Sequence, residues 1–184
     1  LPFLKKYVFS VLHRIIPYGI PANYLTLVSI LVMWSCFLYL LGVKNPDDAD
    51  IIIVFFAITI YVIFDHFDGL QAKKTRTGSP LGEILDHYSD VFNGSIIIYL
   101  VFRILKIELD WIFNLVIWAN LVAFTATYLE QSIRKELYFG KIGSLEGVSM
   151  ILIILGSLTT SQGKYFWLEN TFFDIKLHVF LVIG

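Results

Sequence analysis

Asp65, Asp68, Asp86 and Asp90 fall within 26 residues of an otherwise largely apolar stretch. Asp65 and Asp68 are three apart and Asp86 and Asp90 four apart, so on two helices each pair shares a face and all four carboxylates can converge. An ionised Asp at membrane depth costs about 2.5–3.5 kcal/mol on insertion scales, which makes four of them a functional signal. Carboxylate oxygens suit hard divalent cations such as Mg²⁺ or Mn²⁺, and two such ions would neutralise four aspartates crowded together. Ions held in that way activate phosphoryl or phosphodiester oxygens. The main alternative from another class is a cation-transport path, which predicts no group transfer.

Small and basic residues surround the aspartates. Gly69 follows Asp68, Ala72 lies one turn beyond it, and Gly82 precedes Asp86 by one turn, leaving backbone that a flat group can approach. Lys73 and Lys74 can meet phosphate as point charges, and Arg76 offers a bidentate fork. His87, between Asp86 and Asp90 in sequence, is a candidate general base, with Asp90 the other candidate. Glu130 and Glu146 can attract an ammonium head group, with Tyr128 and Tyr138 adding cation–π contacts; ion pairing of the glutamates with Arg134, Lys135 or Lys141 is the simpler expectation.

The elements that must position these groups are membrane helices. The chain is 57% hydrophobic and 16% charged with a mean hydropathy of +0.74, well above ordinary soluble domains. Six apolar windows approach the roughly 20 residues a span requires: 24–43, 51–72, 82–103, 111–130, 146–162 and 172–184. The expectation is an all-α membrane bundle of about six transmembrane helices, a single domain over 1–184 with residues 1–20 as an amphipathic helix on the membrane surface and 21–184 as the core. Leu4, Val8, Val11, Leu12 and Ile15 form the apolar stripe of that helix, and no cleavable signal peptide is expected. Nine of the fourteen Lys and Arg residues fall on one side of the bundle, which the positive-inside rule makes cytoplasmic, together with the aspartates. The single cysteine, Cys36, excludes an intrachain disulfide. The net charge of −1 gives no reason to expect a nucleic-acid partner. The chain stops at Gly184 inside an apolar run, which is compatible with a segment of a longer polypeptide.

The pattern D-x2-D-G-x2-A-K-x8-G-x3-D-x3-D over Asp65–Asp90 resembles the signature of the CDP-alcohol phosphotransferase family, departing from it where the family's arginine is Lys73. The text Asp68-Gly-Leu-Gln-Ala-Lys-Lys-Thr75 and Ser79-Pro-Leu-Gly-Glu-Ile-Leu-Asp-His87 is similar to the choline/ethanolamine branch, as is the region around Tyr128-Leu-Glu130 and Gly143-Ser-Leu-Glu146-Gly147. There the family's tryptophan is Tyr128 and its proline Leu145. The resemblance implies that Asp65, Asp68 and Asp86 bind one metal ion, with Asp86, Asp90 and Asp65 binding a second. It implies that Gly69, Ala72 and Gly82 line a cytidine pocket, that Asn23 and Thr26 contact the nucleotide, and that Lys73 takes the arginine's place near phosphate. It implies His87 as the base. The implied reaction transfers phosphocholine or phosphoethanolamine from a CDP-linked donor to the lipid acceptor diacylglycerol, releasing CMP, in a homodimer that sits in an endomembrane such as the endoplasmic reticulum or Golgi in a eukaryote, or in the inner membrane of a bacterium. The same-family alternative uses CDP-diacylglycerol and a polar alcohol such as inositol phosphate, glycerol phosphate or serine.

Overall fold

A computed structural model describes residues 9–134, 144–172 and 175–176. The short helix α1 (Ser10–Leu12) runs into a 3-10 turn (His13–Ile15). Long helices follow: α2 (Ala22–Gly42), α3 (Asp48–Thr75), α4 (Pro80–Ile104), α5 (Trp111–Arg134) and α6 (Ser144–Leu158), then the single turn α7 (Ser161–Lys164) and a π-helical turn (Tyr165–Glu169). Two-residue strands, Thr171–Phe172 and Ile175–Lys176, pair antiparallel.

Local chemistry sets the boundaries. Asn45-Pro46 breaks the chain before α3, and Asp47 then caps it, accepting from the Ala49 and Asp50 amides at 2.8 and 3.2 Å while Asp50 accepts from the Asp47 amide at 2.8 Å. The helix ends where Arg76 turns left-handed (φ 56°) and its amide bonds back to the Ala72 carbonyl. Ser79 caps α4 by accepting from the Gly82 amide at 3.0 Å, with Pro80 at the first helical position, where its missing N–H costs nothing. α3 and α4 are thus separated only by the short Arg76–Ser79 connection, which brings their aspartates to neighbouring levels.

α2 packs along both α3 and α4, α5 lies on α4, and α6 lies on α3. Met33, Leu40, Val54, Ile58, Leu100, Leu155 and Leu158 form the fully buried centre. α5 carries no buried residue and exposes Leu115, Trp118, Val122 and Ile133, a composition suited to lipid rather than water.

The helical membrane architecture agrees with the sequence, and among the described residues three or four segments are long and apolar enough to span a membrane. α2, α3 and α5 are each long and apolar enough to cross a membrane, and the pair Leu145–Leu158 and Ser161–Glu169, bent by 115°, makes a fourth if it is one broken span. The window at 82–103 is helical at spanning length, but Asp86, His87, Ser89, Asp90 and Asn93 make its first half polar. The window at 172–184 begins in extended backbone and otherwise lies outside the described residues. The surface helix expected over 1–20 stops at Ile15, because Pro17 holds Ile16 in an extended conformation. Val11, Leu12 and Ile15 are exposed, as lipid-facing side chains would be. Leu4, Lys5, Lys6, Val8, Lys135, Tyr138 and Lys141 lie outside the described residues.

Candidate active site

Asp65 on α3 and Asp86 and Asp90 on α4 bring one carboxylate oxygen each to within 4.8 Å of one another. Oxygens sharing one Mg²⁺ or Mn²⁺ lie up to roughly 4.2 Å apart, twice a bond of about 2.1 Å. An all-oxygen trio of this size therefore fits a hard divalent cation after a small inward shift that the cation's own attraction supplies.

Two phenols fix Asp90. Tyr61 donates to its Oδ1 at 3.1 Å and Tyr128 to its Oδ2 at 3.3 Å. Tyr61 sits one turn before Asp65 on α3, a spacing from which its approach to the cluster was legible, although the sequence reading did not select it. The Tyr128 ring also stacks on His87, with centroids 4.3 Å apart and planes 17° from parallel. His66 bonds the Val62 carbonyl at 3.0 Å and lies 3.6 Å from Asp65.

Asp68 stands apart from the trio. The Thr26 hydroxyl donates to its Oδ2 at 2.6 Å, turning it toward α2. Asp68 and Asp86 instead share a cavity of about 580 Å³, also lined by Asn23, Thr26, Gly69, Ala72, Lys73 and Gly82. The volume lies in the roughly 300–1,000 Å³ range of small-molecule sites. Asp86 therefore belongs to both the carboxylate trio and the cavity, and joins them.

The glycines in that cavity do different work. A side chain on Gly69 would meet nothing within 4 Å, so its backbone faces open space, whereas a Cβ on Gly82 would lie 2.9 Å from Asn23 Oδ1. Only glycine allows the first turn of α4 to approach Asn23 this closely. Gly82→Ala is expected to displace the Asn23 side chain from the cavity wall and to weaken the affinity of whatever ligand the cavity takes by roughly tenfold, about 1.4 kcal/mol. Ligand titration of the variant against the unsubstituted protein would check it, and an unchanged affinity would show that Asn23 can move freely.

A second cavity, about 220 Å³, opens from Asp65 and Asp90 toward α5 and α6, where Asn120, Phe124, Leu145 and Gly147 line it.

Several expected residues are placed elsewhere. Lys73 lines the cavity that Asp68 and Asp86 share, but Lys74 points away and donates to the Ile16 carbonyl at 2.9 Å. Arg76 serves as the left-handed terminus of α3. Glu130 pairs with Arg134 at 3.0 Å, one turn along α5, and Tyr128 contacts His87 and Asp90 instead of presenting a free ring beside it. Glu146 sits on the first turn of α6, between cavity-lining Leu145 and Gly147.

The family model for CDP-alcohol phosphatidyltransferase matches residues 20–179. The chain is 30% identical over 175 residues to an uncharacterized CDP-alcohol phosphatidyltransferase class-I family protein of Schizosaccharomyces pombe, covering 90% of this chain and 44% of that protein. It is 30% identical over 130 residues to cholinephosphotransferase 1 of Bos taurus, covering 68% and 31%. It is 28% identical over 134 residues to choline/ethanolaminephosphotransferase 1 of Saccharomyces cerevisiae, covering 71% and 30%. The chain spans less than half the length of each of these relatives.

Proposed function

Since the chain belongs to the CDP-alcohol phosphatidyltransferase family, we propose that it carries the active site of a membrane enzyme that transfers phosphocholine or phosphoethanolamine from a CDP-alcohol to diacylglycerol. The observation that carries this reading is the single cavity lined by Asn23, Thr26, Asp68, Gly69, Ala72, Lys73 and Gly82, joined through Asp86 to an all-oxygen carboxylate trio. The names of the bovine and yeast relatives favour an aminoalcohol donor. A transport path has no use for a nucleotide-sized cavity with an open glycine backbone.

Asp65, Asp86 and Asp90, with Asp68 across the shared cavity, would hold two Mg²⁺ or Mn²⁺ ions. Bound there, the cations would supply Lewis-acid neutralisation of charge developing on the pyrophosphate. Gly69 and Ala72 leave room for the cytidine base, Asn23 and Thr26 face it from α2, and Lys73 meets phosphate charge. A diacylglycerol hydroxyl attacks the phosphorus bearing the head group. The new O–P bond forms as the bond to the bridging oxygen breaks, CMP leaves with that oxygen and its electron pair, and His87 accepts the hydroxyl proton. Two of Asp90's acceptor positions are already taken by Tyr61 and Tyr128, which suits a ligand better than a base.

We read residues 1–184 as one membrane domain, with the site at the cytoplasmic face, as charge placement supports, and the enzyme as a homodimer. Of Glu130, Glu146 and Tyr128 as candidates for the head-group end, we favour Glu146, whose neighbours Leu145 and Gly147 line the second cavity, over Glu130, which pairs with Arg134, and Tyr128, which bonds Asp90.

The test is CMP release by the purified full-length protein with Mg²⁺ or Mn²⁺. CDP-choline or CDP-ethanolamine plus diacylglycerol is expected to release CMP. Release only with CDP-diacylglycerol plus a polar alcohol moves the lipid to the donor side, and release with neither defeats the assignment.

A further inference from the structure

Gln71 lies among the cavity-lining residues of α3 in sequence yet faces elsewhere and is fully buried. Its Nε2 donates to two carbonyls, Pro17 at 3.0 Å and Ile20 at 2.7 Å. With the amide nitrogen committed as a double donor, Oε1 is the acceptor, and it lies 2.9 Å from His13 Nε2. Both donors and one of the two acceptor positions of this buried amide are thereby used.

The two carbonyls belong to a tight turn, Pro17–Ile20, closed by the Ile20 amide to the Pro17 carbonyl at 3.3 Å. The next helical turn docks there too: Lys74 Nζ donates to the Ile16 carbonyl at 2.9 Å, and the Tyr18 hydroxyl donates to the Lys74 carbonyl at 2.5 Å. The turn leads through Pro21 directly into Ala22, Asn23 and Thr26, which line the cavity opposite Gly69, Ala72 and Lys73. One side of α3 therefore forms a wall of the cavity, while Gln71 on another holds the strap that carries the facing wall.

We propose that Gln71 is a positioning residue for the donor nucleotide, setting the separation between the Asn23–Thr26 wall and the Asp68–Lys73 wall; the inference rests on the nucleotide reading of this cavity. It touches no substrate and acts through the strap. Nothing local in the sequence requires glutamine here, because an ordinary helical residue facing apolar surroundings would be aliphatic. What requires it is a side chain able to donate twice and accept once at the same buried point.

The test uses the purified full-length protein with CDP and Mn²⁺ as the binding probe, alongside donor kinetics. Gln71→Glu keeps the shape and removes both donors, so it is expected to weaken CDP binding and raise the donor KM roughly tenfold or more, with kcat at saturating donor within a few-fold of the unsubstituted protein. Combining it with Asn23→Ala is expected to be non-additive, since Gln71 acts through that wall. A kcat loss with unchanged donor KM, or full additivity, overturns the proposal by reducing Gln71 to general stability. If Gln71→Glu does not fold, His13→Phe, which removes the bond to Oε1 alone, is expected to raise the donor KM in the same direction by a smaller factor, and an unchanged KM overturns the proposal equally. Failure of the unsubstituted protein to bind CDP with Mn²⁺ would defeat the nucleotide reading itself, whereas binding that Gln71→Glu and His13→Phe leave intact defeats this inference alone.

Discussion

Asp86→Asn is expected to reduce CMP release by on the order of a hundredfold or more while leaving the protein folded. Asp86 is the residue common to the carboxylate trio and the nucleotide-sized cavity, so its charge serves both the cation and the place where a pyrophosphate would lie. Asparagine preserves the volume and replaces an anionic oxygen with an N–H donor, which repels a cation. Raising Mn²⁺ should recover part of the lost rate if the damage is weakened cation binding. The readout is CMP release across a Mn²⁺ titration, with unfolding monitored in parallel. A folded variant within a few-fold of the unsubstituted rate would sink the role assigned to this cluster.

Asp68→Asn should be milder in its metal dependence than Asp86→Asn. Asp68 lies outside the 4.8 Å trio and is bonded to Thr26. Four aspartates at helical spacing specify a common face, but they do not specify how each carboxylate rotates. That rotation depends on a hydroxyl 42 residues away, on a helix whose packing a local pattern cannot supply.

The same boundary between local and long-range information runs through the rest of the molecule. α3 and α4 were legible because Asn45-Pro46, Asp47, Ser79 and Pro80 punctuate the chain with chemistry that acts over a few residues. The cavity lining was legible because Gly69, Ala72 and Lys73 on α3 and Gly82 on α4 all belong to one motif. Lys74 leaves the cavity for a related reason: one step along a helix rotates a side chain by about 100°, which starts Lys74 on a different face from Lys73. Its ammonium goes to Ile16 instead. The early end of the N-terminal helix is legible in Pro17 and in the apolar stripe itself, whose last member is Ile15. Gln71 and Tyr128 were beyond reach in the roles they take, because each acquires its partners from segments 38 to 58 residues distant.

His87→Ala is expected to lower kcat by about 10²–10⁴-fold, the range of a lost general base, while leaving CDP binding with Mn²⁺ near normal. His87 is half-buried on α4 and lies flat against Tyr128, whose hydroxyl reaches Asp90. The stack uses the face of the imidazole and holds it beside the carboxylates, which leaves its unprotonated ring nitrogen to accept a proton. Tyr128→Phe separates positioning from chemistry: the ring still stacks, the bond to Asp90 is lost, and the expected loss is smaller than for His87→Ala. Added imidazole should restore part of the rate to His87→Ala if the missing function is proton transfer, and none if it was packing. Near-normal turnover without His87 would leave it as a support for Tyr128 and pass the base role to Asp90. Asp90 would then accept the proton at a lone pair that Tyr61 and Tyr128 leave open, and the bond from Tyr61 favours its anionic form, so Tyr61→Phe should accelerate that route and have no such effect on a reaction that runs through His87.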